Sequence, residues 1–146
     1  MIITFLGHSR IHHTDELMKN VENAIKNNIG EKEKVIFYCG GMGDFDNICA
    51  KACLKIKEKR ASCELLLVTP YINSKNFNDL IYDEIIYPPL ENVPLKFAIV
   101  KRNKWMIKNA DLLIVYVNHS YGGAHNCLLY AQKLNKRIIN IADAPE

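Results

Sequence analysis

The chain has 146 residues, a formal net charge of +3, 49% hydrophobic residues and 24% charged ones. That is ordinary globular composition, and a chain of this length can bury roughly 68–70% of its unfolded surface in one core. It excludes a disordered or fibrous chain, the charge alone does not argue for nucleic acid, and no run approaches the roughly 18 apolar residues of a membrane span.

The apolar stretch 2–6, "IITFL", reads as a short buried strand. It follows no basic n-region and precedes no small-residue cleavage site, so a strand is expected there and not a signal peptide, with a cytoplasmic location. A helix is expected over 14–28. Thr14 is its N-cap, Asp15 and Glu16 suit the positive end of its dipole, and Leu17, Val21, Ala24, Ile25 and Asn28 share a face. Strand 34–39, helix 45–59 and strand 63–70 follow. Residues 71–95 are irregular, with a short strand in "DEIIYPP" stopped by Pro88 and Pro89. A helix over 96–109, a strand over 111–117, the loop "NHSYGG", a helix over 124–135 and a strand over 137–141 complete the pattern.

Strands alternate with helices, and the strands are continuous apolar runs. That pattern requires an α/β fold with a mostly parallel sheet covered on both faces. No repeat or linker is visible, so a single domain over 1–146 is expected. The five cysteines are odd in number and lie in apolar segments without a CxxC pair. They read as reduced, buried small hydrophobes. No metal or cofactor is expected: His8, His12 and His13 lack carboxylates or cysteines at metal-ligand spacing.

Ligands in such sheets bind beyond the carboxyl ends of the strands. The loops of interest are therefore 7–13, 40–46, 69–74 and 118–126, and two of them carry Gly-Gly. In "GGMGDFD", Gly40, Gly41 and Gly43 allow positive φ and close backbone approach, or simply make a tight turn. Asp44 and Asp46 either cap the following helix or accept hydrogen bonds from ribose hydroxyls. A phosphate beside them is disfavoured, since two unit charges ~4 Å apart repel by about 4 kcal/mol at an effective dielectric of 20. The second pair, Gly122 and Gly123, stands at a helix start with Asn118, His119 and Ser120 as donors and no acid. It is the better phosphate site.

On the 96–109 helix the stripe Leu95, Ala98, Ile99, Arg102, Met106, Asn109 places a guanidinium facing a core. Arg102 is then either half of an ion pair with Asp111 or Asp46, or a clamp on a phosphate. Trp105, near the edge of the stripe, is either core or a base-stacking platform. Gly7, His8 and Ser9 after the first strand, with Thr69 and Tyr71 after the third, line the remaining side of the pocket.

"CGGMGDFDNICAKAC" resembles the GG-x₄-D signature of the SLOG superfamily (DprA/Smf and LOG relatives), with Gly40, Gly41 and Asp46 at matching offsets. "RNKWMIKNADLLIVYVNHSYGG" resembles the LOG pattern through Arg102, Met106, Ala110, Asp111, Gly122 and Gly123. The segment "ITFLGHSR", the "TPY" after the third strand and the short length look closest to the small YpsA-like branch. The resemblance implies a Rossmann-like three-layer sandwich that binds a nucleotide-derived small molecule, such as a nucleoside monophosphate, an ADP-ribose-like ligand or a cyclic nucleotide, as a sensor or sequestering protein. It implies self-association as well. LOG relatives cleave the N-glycosidic bond of nucleoside monophosphates with an arginine and a glutamate. Here Arg102 stands at the first position and Leu129 at the second, and no carboxylate occurs between Asp111 and Asp143. An enzyme of that kind would have to use Asp46 or Asp44 with Arg102. DprA relatives bind single-stranded nucleic acid; the basic 96–108 segment allows this and the low net charge weakens it.

Overall fold

A computed structural model describes residues 1–12, 14–70, 81–90 and 93–143. Its elements run β1 (Ile2–Gly7), α1 (Asp15–Lys26), β2 (Val35–Cys39), α2 (Asp44–Glu58), β3 (Cys63–Val68), β4 (Glu84–Ile86), α3 (Leu95–Asn109), β5 (Leu112–Tyr116), α4 (Gly122–Lys133) and β6 (Arg137–Asn140), with a closing 3₁₀ turn. The strands form one six-stranded sheet in the order β4-β3-β2-β1-β5-β6. Every pairing is parallel, so the sheet is wholly parallel where a mostly parallel one was expected. The expected short strand in "DEIIYPP" is β4.

The apolar runs feed two cores because successive side chains leave opposite faces of the sheet. Ile3, Phe5, Phe37, Leu65 and Ile114 join Leu17, Val21 and Ile25 of α1 and Phe45, Ile48 and Cys49 of α2. Leu6, Tyr38, Leu66, Leu113 and Val115 join Met106 and Ile107 of α3 and Cys127 and Ala131 of α4. The result is a three-layer sandwich with α1 and α2 on one face and α3 and α4 on the other. All five cysteines are unpaired and buried.

The start of α1 is as the sequence requires: the Thr14 hydroxyl accepts from the Leu17 N–H at 3.0 Å. On α3 the buried stripe is Ala98, Arg102, Met106 and Ile107. Ile99 is 39% exposed and Asn109 is a surface residue, so the stripe is rotated from the expected one. Trp105 packs against the second core, its ring 5.5 Å from that of Tyr38. The helix α4 begins at Gly122, two residues before the expected start, so both glycines belong to its first turn.

β1 lies between β2 and β5. The chain leaves β1 for α1 on one face and leaves β5 for α4 on the other. The two exits diverge, and a crevice opens above the carboxyl ends of β1 and β5. Gly7 closes β1 at this crevice. A Cβ there would stand 2.4 Å from Cδ2 of Phe45, a ring with no solvent exposure. Gly7→Ala should therefore lose about 1–3 kcal/mol of stability by overpacking, read from denaturant unfolding midpoints. An unchanged midpoint would mean that Phe45 repacks without cost.

Candidate functional site

The crevice is a cleft of about 460 Å³ whose walls come from the loops after β1, β2 and β5 and from α3. Leu6, Gly7, His8, Ser9 and Arg10 follow β1; Met42, Gly43 and Asp46 follow β2; Arg102, Asn103 and Met106 come from α3; His119, Tyr121, Gly122, Gly123 and Cys127 follow β5. A somewhat larger groove, about 520 Å³, lies where α1 and α2 end. Its charges answer one another, as in Lys26–Glu22 and Lys55–Glu22, and it is at the wrong end of the sheet for a ligand of this fold.

Arg102 is only 2% exposed. Its Nη1 donates to the carbonyls of Gly40 at 2.9 Å and Val68 at 2.8 Å, and its Nε donates to Oδ1 of Asn103 at 2.8 Å. These bonds tie the carboxyl ends of β2 and β3 to α3. Gly40 is glycine because a Cβ would lie 3.1 Å from the Asp46 carboxylate and 3.3 Å from the Arg102 guanidinium. Asp111, one expected partner of Arg102, instead accepts the Ile2 N–H at 2.8 Å.

Asp46 lies at the third position of α2 and accepts the Met42 N–H at 3.0 Å, closing the first glycine loop onto the helix. Burial pushes its pKa up to about 6; the Met42 bond and the charge of Arg102 pull it down only in part. Asp44 does something else. It accepts the Ile11 N–H at 3.0 Å, its own N–H goes to the Ser9 carbonyl at 2.9 Å, and it is not part of the cleft lining. It clips the loop after β1 to the start of α2. Gly43, at φ 94°, gives Ser9 the room it needs: a Cβ there would meet Ser9 Cα at 2.9 Å.

The two helix starts at the cleft differ. The first turn of α2 holds Asp44 and Asp46. The first turn of α4 holds no acid and receives no side-chain cap. A Cβ on Gly123 would meet no atom within 4 Å. The first turn of α4 thus lines the cleft with a positive dipole end and with room on the Cβ side of Gly123.

His8 is buried, and its Nε2 accepts the Asn118 N–H at 3.1 Å. An accepting Nε2 carries no proton, so the ring is neutral with its proton on Nδ1. Burial and the neighbouring His119 push its pKa below the usual value. His119 stacks on His8 at 3.7 Å, and Tyr121 stacks on His119 at 3.9 Å. The thiol of Cys127 is pushed up by burial, against the pull of Asn103 and Arg102, so it is not a ready nucleophile.

Of the residues singled out in the sequence, Gly7, His8, Ser9, Gly43, Asp46, Arg102, His119, Gly122 and Gly123 come together in the cleft. Gly40 and Gly41 lie beneath its lining, in the turn that Asp46 and Arg102 hold. Thr69 is buried, its N–H bonded to the Ile86 carbonyl at 3.0 Å, and is not in the lining. Asn118 and Ser120 are exposed beside it. Tyr71 and His13 fall outside the described residues. Arg10, Met42, Asn103, Tyr121 and Cys127 line the cleft without having been singled out. Tyr121 and Asn103 adjoin Gly122 and Arg102 in sequence, which was a usable signal; Cys127 lies one helical turn beyond Gly123. Leu129, at the glutamate position of the LOG pattern, is half exposed. Among the described residues no cluster of His, Cys, Asp or Glu is placed to hold a metal, and no helix is long and apolar enough to cross a membrane.

A glycine-lined crevice at the switch point of a wholly parallel sheet defines a Rossmann-like fold. Solved structures share this fold. DNA processing protein A from Streptococcus pneumoniae superposes with a TM-score of 0.65 at 17% identity, over 93% of this chain and 48% of that one. TM1055, a structural genomics target, gives 0.61 at 15% identity over 97% and 78%. The Moco carrier protein of Chlamydomonas rheinhardtii gives 0.55 at 15% identity over 97% and 75%. The chain thus spans about half the length of the first of these. No protein-family model and no curated protein sequence matches it.

Asp46 carries a sign that can be measured. Its folded pKa lies above the unfolded one, so its contribution favours folding below about pH 4 and is lost as pH rises through about 6. Asp46→Asn keeps an acceptor for Met42 and removes the half-buried charge. At pH 8 the variant should be more stable than the wild type by about 1–3 kcal/mol, with the gap closing toward pH 4. A gap independent of pH would show that the carboxylate is not desolvated.

Proposed function

We propose that the cleft binds a nucleotide-derived small molecule, in a protein of SLOG type near its small YpsA-like branch, acting as a sensor or sequestering module. The observation that carries this is the acid-free, uncapped start of α4 in the cleft lining, with room on the Cβ side of Gly123. Phosphate sits there, against the N–H groups of Gly123 and Ala124, with Arg10 and Arg102 supplying positive potential from the facing walls. Asp46, across the cleft, accepts the ribose hydroxyls, and His8 and Ser9 border the ligand. Nucleoside monophosphates, ADP-ribose-like molecules and cyclic nucleotides share this chemistry. One structural neighbour is named as a Moco carrier protein, which is compatible with a small-molecule ligand in this cleft.

Gly123→Asp separates binding from folding. An acid at the second helical position favours the dipole, so the melting temperature should hold or rise. The same acid repels a phosphate by about 4 kcal/mol at close range, so affinity for AMP and ADP-ribose should fall at least a hundredfold by calorimetry. Unchanged affinity would place the phosphate elsewhere.

A second reading rests on Asp46 and its pKa of about 6. A carboxyl group poised there suits general acid chemistry on an N-glycosidic bond, with Arg102 steadying the phosphate. The two readings differ in pH dependence. A carboxylate that only accepts ribose hydroxyls gives affinity that rises as pH passes about 6. A general acid gives release of base that falls above about 6 and vanishes in Asp46→Asn. Intact AMP after long incubation at high protein concentration removes the second reading. Single-stranded nucleic acid, held by the lysines of α3, would instead show affinity falling steeply with salt. Self-association, implied by the same resemblance, is read from light scattering, and a monomer mass removes it.

A further inference from the structure

The ring column on the cleft wall has no role in either hydrophobic core. It begins at His8, whose ring meets Tyr116 edge-on at 6.2 Å and 85°. His119 lies on His8 with the planes 12° apart, and Tyr121 lies on His119 at 19°. Its first two rings are anchored: the Asn118 N–H holds His8, and Nδ1 of His119 lies 3.0 Å from the Tyr121 carbonyl. Yet its last ring is 70% exposed, the most open of the large apolar side chains described. A surface tyrosine ordinarily samples several rotamers. This one lies flat against a stack, which restricts its rotamers and lowers the ordering cost of binding.

We propose that the outer face of Tyr121 is a stacking platform for a nucleobase, so that the cleft takes a nucleoside phosphate, purine before pyrimidine, and not a bare sugar phosphate. This rests on the reading of the α4 start as a phosphate site. Tyr121 is the N-cap of α4, so the platform is covalently fixed to the N–H groups that would hold the phosphate. A base joined to that phosphate through ribose reaches back over the cap, while Asp46 on the facing wall takes the sugar. Every base has a π face, and larger rings overlap more of it, which sets the order of purine and pyrimidine. The platform is rigid, aromatic and beside an anion site, whereas the remaining lining offers no second exposed ring among the described residues.

Calorimetric titration of AMP, UMP and ribose 5-phosphate into the wild type, Tyr121→Ala, Tyr121→Leu and Tyr121→Phe tests this. The wild type should bind AMP about tenfold or more tighter than ribose 5-phosphate, with UMP between them. Tyr121→Ala and Tyr121→Leu should bring AMP to the level of ribose 5-phosphate while leaving ribose 5-phosphate within about twofold, and Tyr121→Phe should restore the preference. The platform is overturned if wild type holds AMP no tighter than ribose 5-phosphate, if Tyr121→Leu keeps the preference, or if Tyr121→Ala weakens both ligands equally. Should neither AMP nor ribose 5-phosphate bind the wild type, the phosphate-site reading fails and the platform with it. Ribose 5-phosphate binding without any gain from the base overturns the platform alone.

Discussion

The guanidinium of Arg102 is the joint on which this end of the molecule depends. A buried cation is tolerated only when its N–H groups are spent on acceptors. Here Nη1 takes the carbonyls of Gly40 and Val68, at the ends of two neighbouring strands, and Nε takes Asn103. One side chain on α3 therefore fixes the exits of β2 and β3 on the opposite layer's loops. The absence of a Cβ at Gly40 lets the guanidinium and the Asp46 carboxylate approach the same backbone. Arg102 thus shapes the pocket as a positioning group as much as it charges it.

The same backbone physics is used twice at the cleft, to opposite ends. Both helix starts present unpaired N–H groups and a positive dipole end. In α2 the Asp44 N–H goes to the Ser9 carbonyl, and the acids of the first turn answer the dipole. In α4 the N–H groups receive no side-chain cap, and there is room on the Cβ side of Gly123. A pocket with one self-satisfied pole and one unsatisfied pole orients a ligand whose own ends differ in charge. The desolvated Asp46 is part of that asymmetry: its ionised form is costly in the empty cleft and is relieved by a hydrogen-bond donor.

Rigidity accompanies this asymmetry. Asp44 clips the loop after β1 through Ile11 and Ser9, and Gly43 accepts Ser9 against its backbone. On the other wall the neutral His8 ties the Asn118 loop to β1, and the ring column extends from it. The walls are held by bonds that no ligand needs to make, so little ordering remains to be done on binding.

The sequence by itself determined the element order, the parallel α/β class, both Gly-Gly turns and the pairing of an acidic with an acid-free helix start. These follow from local signals: continuous apolar runs, Thr14 as a cap, and glycines between strand and helix. It did not determine what Asp44 and Arg102 do, because a side chain's partners lie far along the chain: Asp44 answers Ile11, and Arg102 answers Gly40 and Val68. Neither was the α3 stripe legible in full. Period alone admits Ile99 and Asn109 beside Ala98, Arg102 and Met106, and only the packing of α3 on the sheet selects Ile107 and turns the other two outward. The ring column is the furthest from sequence. His8 and His119 are more than a hundred residues apart, and only the parallel pairing of β1 with β5, which sets Gly7 opposite Tyr116, brings their loops face to face.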